Sequence, residues 1–572
     1  MEDEPMASAP PAAAHEASVA PLVSDEELQQ CVSVLSRFHG EDGLAQFQAP
    51  RYKPLRKAII PLIDELRKKL FHGQSADADA QRQEKKRKLK IERARQKALD
   101  QQFVNNTKLR AERLARLAQL TEQNPLLAQV PDGVSGASVG LLTASGELAT
   151  MDESRASEGS EDTPTAELHH HRACYTCKGK FRELHHFYDR MCPACATLNF
   201  KKRLQTANLV DHVAIVTGAR VKIGYEIALK LLRAGAYVVA TTRFPKDAAY
   251  RYAKEQDFET WKDRLQVYGL DFRDLGVIDK FMDHVEKTLG RVDILINNAT
   301  QTIRRPVHYY KHLIEGEVAP VPEQFAAAQM LLQGNASLLG IENDPVTAAE
   351  TEPSAAIVRA TTGSSAAVPS SVLLSQVGVL PEDKESEETA ALFPQGQVDQ
   401  NKQQVDLRKK NTWVQKIDEI ETMELVEVFA INTMAPFILN KRVIPLLLKS
   451  TNKHKYIINV SAMEGKFYRV KTPNHPHTNM AKAAVNMMTR TCAEDLAQQG
   501  IYMNSVDTGW INDENPREAA VRIATSHNFQ TPLDEIDAAA RVLDPIFVLH
   551  QEDNTEPPMF GQFLKDYKIS EW

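Results

Sequence analysis

The sequence predicts an α/β fold in which helices cover both faces of a parallel β-sheet. A glycine-rich turn follows the apolar run 212–216. Short apolar runs then alternate with helical patterns, and polar residues stand where several of these runs end. Strands that are apolar along nearly their whole length are typical of parallel sheets buried on both sides. A small cysteine module and a helical N-terminal region are predicted to precede this domain.

The glycine-rich turn has the sequence TGARVKIG, from Thr217 to Gly224. Gly218 allows a tight turn, and Gly224 lets the following helix pack close to the strand. Free N–H groups at the start of that helix favour a phosphate group. The turn therefore predicts a dinucleotide site, with candidate binding residues Thr217, Gly218, Arg220, Lys222, Ile223 and Gly224.

Five more strands are predicted after the turn. They are residues 236–242, 265–270, 292–296, 455–460 and 501–506, and the clearest helical patterns between them are 423–448 and 480–496. Ligands bind beyond the carboxyl ends of the strands in such sheets. The polar residues at or after these ends are therefore candidate site residues: Asp271, Asn298, Ser461 and Thr508.

These features together resemble the short-chain dehydrogenase/reductase family over residues 208–572. The matching residues occur in the family's order: the TGxxxxIG turn, Asp271, the Asn-Asn-Ala triplet 297–299, Asn432, Ser461, Lys482 and Gly509. The resemblance implies a Rossmann-type doubly wound sheet and an NAD(P)-dependent oxidoreductase. Such an enzyme transfers a hydride between nicotinamide and a carbonyl-like carbon of a small-molecule substrate. The cofactor contacts implied beyond the turn are Asp271, Asn298, Lys482 and Thr508.

The end of the second predicted strand of this domain indicates which dinucleotide is bound. An acidic residue there usually contacts the ribose 2′-hydroxyl and selects NAD. Here the sequence is Thr241-Thr242-Arg243, and arginine suits a 2′-phosphate. Lys222 adds a positive charge where most of the family has glycine. We therefore expect NADP(H), which pteridine reductases use with a basic residue at the same place. The alternative is that both cations are solvated loop charges.

The catalytic set implied by the resemblance is incomplete. Asn432, Ser461 and Lys482 match the asparagine that anchors a relay water, the serine that fixes the carbonyl oxygen and the lysine that holds the ribose. Four residues before the lysine, where the family has its proton-donating tyrosine, stands Thr478. A threonine hydroxyl is a much weaker acid than a phenol, whose pKa is about 10. It is also too short to reach the same substrate atom.

Several interpretations of this departure stay open. Tyr468 or His477, both near the expected position, is a candidate substitute donor, and Tyr468 is the first choice. A substrate such as an imine or a polarised alkene needs less help from a protein acid. Alternatively, the domain binds NADP(H) without turnover, as a regulatory or scaffold protein. A further alternative is a nucleic-acid-associated protein that acts through its basic helix and cysteine module.

Two cysteine pairs precede the dehydrogenase-like domain, within a predicted module of residues 169–205. Cys174 and Cys177 form the first pair, and fourteen residues separate it from the second pair, Cys192 and Cys195. This spacing predicts one structural zinc ion held by four thiolates. Disulfide or redox pairing is the alternative. The short linker to the next strand favours packing of the module on the dehydrogenase-like domain, although nearby basic residues keep nucleic acid open.

The N-terminal part has a different composition. Residues 1–24 are predicted to be disordered, 25–124 to form a helical basic region with coiled-coil character, and 125–168 to be a linker. The basic run 81–120 is a candidate surface for nucleic acid or an acidic protein, a nuclear import signal, or simply a solvated helix. We expect a cytoplasmic protein without a membrane span, with the nucleus as the alternative location.

A large insertion interrupts the predicted domain at about residues 321–405. It is rich in Ala, Ser, Glu and Pro, and it follows the predicted fourth strand, so it is either a lid or an inert excursion. Its flanks, Arg304–Arg305 and Arg408–Lys410, carry enough positive charge to meet an anionic substrate, or are ordinary surface charges. The resemblance implies a homo-oligomer, unless the insertion covers the surface that would form it. The net charge of −7 over 572 residues combines a basic helix with acidic linkers.

Overall fold

The computed structural model describes residues 22–70, 74–123, 167–339, 370–384, 386–399, 403–468, 470–551 and 554–572. The chain divides into two compact units, residues 1–96 and 97–572. Most of the predicted disordered start and nearly all of the predicted linker 125–168 lie outside the described residues.

The first unit is helical. Its helices are Asp25–Ser36, Gly40–Phe47, Lys53–Leu70 and the first part of Gln74–Asn105. Ser24 begins the first helix with a capping box, because its hydroxyl accepts from Glu27 N and its own backbone N–H donates to the Glu27 carboxylate. Residues 81–92 of the long helix are exposed, so the basic side chains of this stretch face water.

The second unit begins with a small module around the four cysteines. Strands β1 (Glu167–Ala173) and β2 (Lys180–Glu183) form an antiparallel pair, and the helix Pro193–Leu204 follows, with Cys192 at its N-cap. The helix Lys108–Gln123 lies against this module. Its first backbone N–H groups donate to the carbonyls of His186 and Phe187.

The main sheet has eight strands in the order β10-β9-β8-β7-β6-β3-β4-β5, and all neighbouring pairs are parallel except β9 with β10. This confirms the predicted α/β fold. The last two strands were missed by the sequence prediction. The bounds are Val213–Thr217 (β3), Tyr237–Thr242 (β4), Leu265–Gly269 (β5), Ile294–Asn297 (β6), Lys455–Ser461 (β7), Ile501–Asp507 (β8), Phe563–Lys565 (β9) and Lys568–Ser570 (β10).

Helices cover both faces of this sheet because its strands are apolar on both sides. Alternate residues of β3 show the division, since Ala214 and Val216 belong to one apolar cluster and Ile215 to the other. The helices Lys222–Arg233 and Glu535–Phe547 pack on the first face. The second face carries Gly276–Leu289, Ala435–Leu448 and Pro476–Ala497. Shorter helices are Pro245–Tyr252, Phe258–Trp261, Lys311–Val318, Gln333–Leu338, Ser370–Leu373, Glu387–Ala391 and Arg517–His527.

One continuous helical stretch, Thr422–Leu448, is long and apolar enough by composition to cross a membrane. Half of its apolar window is buried inside the structure. It consists of the helix Thr422–Phe429, a π-helical turn at Ala430–Met434 and the helix Ala435–Leu448 that packs on the sheet. Packing of this stretch in the core is therefore sufficient to explain its apolar character.

Part of the insertion covers the open edge of the sheet. The backbone N–H of Gly269 in β5 donates to Asn335 Oδ1 at 2.7 Å, and Gly334 N–H donates to the side chain of Gln266 at 2.9 Å. Gln266 in turn donates to the carbonyl of Met330 at 3.1 Å. An exposed edge strand would otherwise offer unpaired backbone groups to other chains. Residues 323–338 therefore cap β5, while 340–369 lie outside the described residues.

Candidate functional site

A cleft of about 1200 Å³ opens at the carboxyl ends of the central strands. Most of the residues predicted to form the site line it. They are Gly218, Arg220, Lys222, Ile223, Gly224, Arg243, Asp271, Asn298, Ser461, Tyr468, Thr478, Lys482 and Thr508. Thr217 and Asn432 lie behind this surface and hold the loops that form it, as their hydrogen bonds show below.

The glycine turn is locked to the end of β6. Gly218 has a φ of 68°, and Asn298 donates its amide Nδ2–H to the carbonyl of Thr217 at 2.9 Å. The Thr217 hydroxyl accepts from the backbone N–H groups of Asn298 and Ala299, both at 2.9 Å. A Cβ on Gly224 would lie 2.3 Å from the Gly218 oxygen and 2.4 Å from Asn298 Nδ2. The close packing expected from the sequence therefore depends on the absence of a side chain at residue 224.

Lys222 has a left-handed backbone, with a φ of 55°, at the first position of the helix that follows the turn. Such a conformation costs a non-glycine residue of the order of 1 kcal/mol and is concentrated at functional sites. With the Asn512 amide turned to satisfy both of its neighbours, its oxygen accepts from Lys222 Nζ at 3.2 Å. Lys222 thus reaches from the glycine turn to the loop after β8.

Arg243 stands at the end of β4 as a fixed cation. Its guanidinium donates to the Tyr310 hydroxyl at 3.0 Å and lies 4.6 Å from the centre of that ring. Burial raises the pKa of Tyr310, but Arg243 outweighs it, so this pKa lies below its ordinary value. Arg220 is paired with Asp247 at 2.8 Å, and Asp271 with Arg273 at 2.6 Å. Arg243 is therefore a cation whose guanidinium donates to a phenol, whereas Arg220 and Arg273 are paired with carboxylates.

Three side chains of the expected catalytic set meet inside the cleft. The Ser461 hydroxyl donates to Asn486 Oδ1 at 2.6 Å, and Lys482 Nζ donates to the carbonyl of Val460 at 2.9 Å. Thr478 is buried and its hydroxyl oxygen has no hydrogen-bond partner. Burial lowers the pKa of Lys482 to about 8, with Glu464 opposing the shift. The Lys482 amine is therefore held inside the site. Because its pKa is lowered, it loses its proton closer to physiological pH than an ordinary lysine does.

We expect Lys482→Met to raise the free energy of unfolding at about pH 7. The unfolded lysine has a pKa of about 10.4, so the unfolded chain binds more protons between about pH 8 and pH 10.5. Burial of the charged amine thus destabilises the wild type fully below about pH 8, by up to about 3 kcal/mol. Loss of the hydrogen bond to Val460 offsets about 1 kcal/mol of the gain. Urea unfolding without nucleotide should show a gain that disappears towards pH 10.5, and an equal gain at both pH values would contradict the shifted pKa.

Asn432 lies in the π-helical turn and holds the loop after β6. Its Oδ1 accepts from the backbone N–H of Gln301 at 2.7 Å, and its Nδ2 donates to the carbonyl of the same residue at 3.0 Å. Single π-turns inside helices occur frequently at functional sites. Here the turn places the amide against the loop, so that Gln301 rather than Asn432 lines the cleft.

The two candidate proton donors occupy different environments. Tyr468 lines the cleft and is 54% exposed, with Lys466 Nζ 4.7 Å from the centre of its ring. Lys466 itself is buried, lies 4.2 Å from the Phe563 ring centre and donates to the Ser570 hydroxyl. Burial lowers the pKa of Lys466, against a hydrogen bond with Tyr468. His477 is buried instead beside Glu424, with 3.4 Å between Nε2 and the carboxylate oxygen.

The basic flanks of the insertion are occupied by ion pairs. Arg304 is buried and pairs with Asp383 at 2.6 Å and Glu382 at 2.9 Å. Arg408 pairs with Asp406 at 2.9 Å and with Glu382 at 3.3 Å, and Arg305 pairs with Asp406 as well. These ion pairs tie both flanks to acidic residues in the later part of the insertion and beside it, while Arg305 also lines the cleft.

The four cysteine sulfurs of the module form one cluster. All four lie within 4.8 Å of one another, and the sulfurs of Cys177 and Cys192 are 3.7 Å apart. Backbone hydrogen bonds outweigh the burial of Cys174 and lower the pKa of its thiol to about 7. A tetrahedral site with zinc–sulfur bonds of about 2.3 Å has sulfur–sulfur separations of about 3.8 Å. The donor set and its size thus fit a tetrahedral metal ion, whereas a disulfide needs a separation of about 2 Å.

The same module forms part of the cleft wall, which the sequence analysis did not anticipate. Its lining residues are Ala173, Cys174, Tyr175, Thr176, Lys178 and Arg190. Other residues that sequence reasoning missed are Asn486 and Lys466. The position of Asn486 four residues after Lys482, on the same face of a helix, was a usable signal for the first. No local pattern indicated that Lys466 is buried, because Phe563 and Ser570, which it contacts, belong to β9 and β10.

Known proteins are similar to this chain over different shares of its length. An uncharacterized protein of Acanthamoeba polyphaga mimivirus is 31% identical over 394 residues, which are 66% of this chain and 71% of that protein. The fatty acyl-CoA reductase of Acinetobacter baylyi is 33% identical over 101 residues, 18% of this chain and only 33% of the relative. A short chain dehydrogenase from Burkholderia cenocepacia, solved with NADP, covers 62% of this chain and 96% of its own at 17% identity and a TM-score of 0.37.

The family model described as short chain dehydrogenase matches residues 212–313 and 387–520. The gap between the two matched segments, residues 314–386, overlaps most of the insertion. The first segment carries the glycine turn and Asn298, and the second carries Ser461 and Lys482. Both segments match this one model and fold into one parallel sheet, so the domain that they form is similar to the short chain dehydrogenases.

Proposed function

We propose that the protein is an NADP(H)-dependent oxidoreductase that reduces or oxidises a carbonyl-like carbon of a small molecule. The observation that carries this proposal is the single cleft in which the glycine turn, Ser461 and Lys482 face one another. A dinucleotide whose phosphates lie at the turn extends along the strand ends towards Ser461 in such a sheet. The conclusion concerns the class of reaction and leaves the substrate itself to experiment.

Selection of NADP(H) over NAD(H) follows from the charge at the end of β4. That position offers Thr241, Thr242 and the fixed guanidinium of Arg243, with no carboxylate to accept a ribose hydroxyl. Arginine binds phosphate through a fork of charge-assisted donors. Lys222 adds positive charge along the same wall. We therefore assign the 2′-phosphate to Arg243.

The residues of the cleft supply orientation and protons. A bound nicotinamide supplies or accepts the hydride. We assign Ser461 to hold the substrate oxygen and Lys482 to hold the ribose. In the reducing direction the carbon gains the hydride and its oxygen gains a proton, which has to come from a donor within reach. We assign this donor role to Tyr468, because it lines the cleft and Lys466 lies beside its ring.

We propose further that the cysteine cluster holds a structural zinc ion. Four thiolates complete a tetrahedral shell, so no position remains open for catalysis. The metal would stabilise the fold of the small module, since metal binding to such sites contributes directly to folding. The spacing of the sulfurs supports this reading over disulfide pairing.

Titration of the purified protein with NADPH and NADH, followed by nicotinamide fluorescence, tests the cofactor assignment. We expect preference for NADPH, and we expect Arg243→Ala to weaken NADPH binding by about 10- to 100-fold while NADH binding changes little, since a charge-assisted hydrogen bond contributes about 1.5–3 kcal/mol. Lys287→Ala, which removes an exposed positive charge outside the cleft, is the matched control.

Equal weakening of both nucleotides by Arg243→Ala would contradict the assignment of the 2′-phosphate. Absence of binding by either nucleotide would contradict the proposed function. Selective NADPH binding without oxidation of NADPH by aldehydes, ketones, imines or enones would favour the alternative of a nucleotide-binding protein without turnover.

A further inference from the structure

The cysteine module is fixed to the dehydrogenase domain at the start of the helix Glu535–Phe547. Arg203, at the end of the module's helix, pairs with Asp534 at 2.6 Å and with Asp537 at 3.1 Å. The Tyr188 hydroxyl donates to Asp537 at 2.6 Å, and all of these groups are largely buried. The module therefore keeps a defined position next to the cleft.

One side chain of the module reaches the end of β8. The hydroxyl of Tyr175 accepts the backbone N–H of Trp510 at 2.9 Å. Gly509, with a φ of 80°, leaves room for this contact, because a Cβ there would lie 3.3 Å from the tyrosine oxygen and 2.5 Å from Leu533. Tyr175 lines the cleft and lies between two of the cysteines, Cys174 and Cys177.

The backbone of Tyr175 is held by the second half of the module. Its N–H donates to the carbonyl of Arg190 at 2.7 Å, two residues before Cys192. This hydrogen bond thus joins the residue that follows Cys174 to a residue that shortly precedes Cys192. A metal ion that joins all four sulfurs would fix both segments together, and with them the position of the tyrosine ring.

The loop that Tyr175 contacts continues to the glycine turn. Asn512 lies two residues after Trp510 and accepts from Lys222 Nζ. A continuous set of contacts therefore runs from the cysteine cluster through Tyr175 and the loop 509–512 to the residue that begins the phosphate-binding helix. Six residues of this path line the cleft: Cys174, Tyr175, Gly509, Trp510, Asn512 and Lys222.

We propose that metal binding by the four cysteines and dinucleotide binding in the cleft are coupled, with Tyr175 as the positioning residue that links them. The metal holds Tyr175 against Trp510, and this contact fixes the loop that closes the dinucleotide site. Coupling between two sites is reciprocal, so the dinucleotide raises the affinity for the metal by the same factor. The proposal rests on the proposed function, because it takes the dinucleotide to be the ligand of the cleft.

Coupling of this kind accounts for a small module whose first cysteine knuckle contributes Cys174, Tyr175 and Thr176 to the cleft wall. Typical coupling factors between sites are about 5- to 150-fold. A single hydrogen bond such as that of Tyr175 contributes about 1 kcal/mol, or about fivefold in affinity.

The test compares NADPH affinity in four samples of the full-length protein. They are the zinc-loaded wild type, the wild type after zinc removal by a chelator, zinc-loaded Tyr175→Phe and zinc-loaded Tyr502→Phe. Tyr502 lies outside the cleft, with its hydroxyl 3.4 Å from His454, so its variant is the matched control. We expect about tenfold weaker NADPH binding after zinc removal, about fivefold weaker binding by Tyr175→Phe and no change in the control.

A second measurement follows the reciprocal effect. Zinc affinity, determined by competition with a chromogenic chelator, should rise with saturating NADPH in the wild type and rise less in Tyr175→Phe. Tyr175→Phe keeps all four cysteines. Its NADPH affinity therefore tests the coupling even where zinc removal unfolds the chain. Normal NADPH binding by both the zinc-free wild type and zinc-loaded Tyr175→Phe would overturn the coupling but leave the proposed function standing. Absence of NADPH binding by the zinc-loaded wild type would overturn the proposed function and the coupling with it.

Discussion

Gly224→Ala is expected to destabilise the protein by at least about 3 kcal/mol and to abolish measurable dinucleotide binding. The added Cβ would lie 2.3 Å from the Gly218 oxygen, which is backbone, and 2.4 Å from the Asn298 amide nitrogen, which is held by its hydrogen bond to the Thr217 carbonyl. Overpacking of a well-packed site costs about 1–3 kcal/mol, and more where backbone has to move. The backbone that would move is the turn that receives the phosphates. A loss of about 3 kcal/mol in binding corresponds to about a hundredfold in affinity.

Gly316→Ala provides the matched control for this substitution. Gly316 lies in the helix Lys311–Val318, its added Cβ would meet nothing within 4 Å, and its φ is not positive. Alanine in such a position stabilises a helix by about 0.5–1 kcal/mol. Thermal unfolding and NADPH titration of both variants give the comparison. Comparable stability and binding for the two variants would show that the tight approach of the turn to Asn298 is not required.

The fold could be predicted because its strands carry a local signal. The strand found at Val213–Thr217 is within one residue of the apolar run at 212–216, and Lys455–Ser461 agrees equally well with its prediction. Continuous apolar runs of this length have few structural alternatives when helical patterns separate them. The pair Phe563–Lys565 and Lys568–Ser570 was missed, since strands of three residues are too short to show a period.

Only those residues of the site that belong to local sequence motifs could be predicted. Gly218, Ser461 and Lys482 stand in recognisable contexts, and the structure brings all three to one cleft. Tyr175 lies more than three hundred residues from Trp510 in the chain, so no sequence pattern connects them. The structural role of Arg304 could not be predicted for the same reason. Its partners Glu382 and Asp383 belong to the insertion and lie far from it in the chain.

Thr478→Tyr is expected to increase NADPH-dependent carbonyl reduction by about 10²- to 10⁴-fold, which is the usual contribution of a positioned general acid. Residues 478 and 482 are one turn apart on the helix Pro476–Ala497, so a phenol at residue 478 would stand beside the Lys482 amine. Thr478 already lines the cleft, and its hydroxyl has no partner whose loss would offset the change. The measurement is NADPH oxidation over a panel of aldehydes and ketones.

Thr478→Phe separates the phenol's acidity from its bulk, because it fills the same space without a proton to donate. A further combination identifies the donor of the wild type. If Tyr468 supplies the proton, Tyr468→Phe should reduce turnover by the wild type but leave Thr478→Tyr active, since the new phenol no longer needs it. The Thr478→Tyr variant could bind NADPH and yet reduce carbonyls no faster than Thr478→Phe. That result would show that the missing acid is not the only difference between this cleft and that of an ordinary carbonyl reductase. In that case Ser461 is the next residue to examine, because its hydroxyl is directed to Asn486 and would have to turn towards a substrate before it could hold an oxygen.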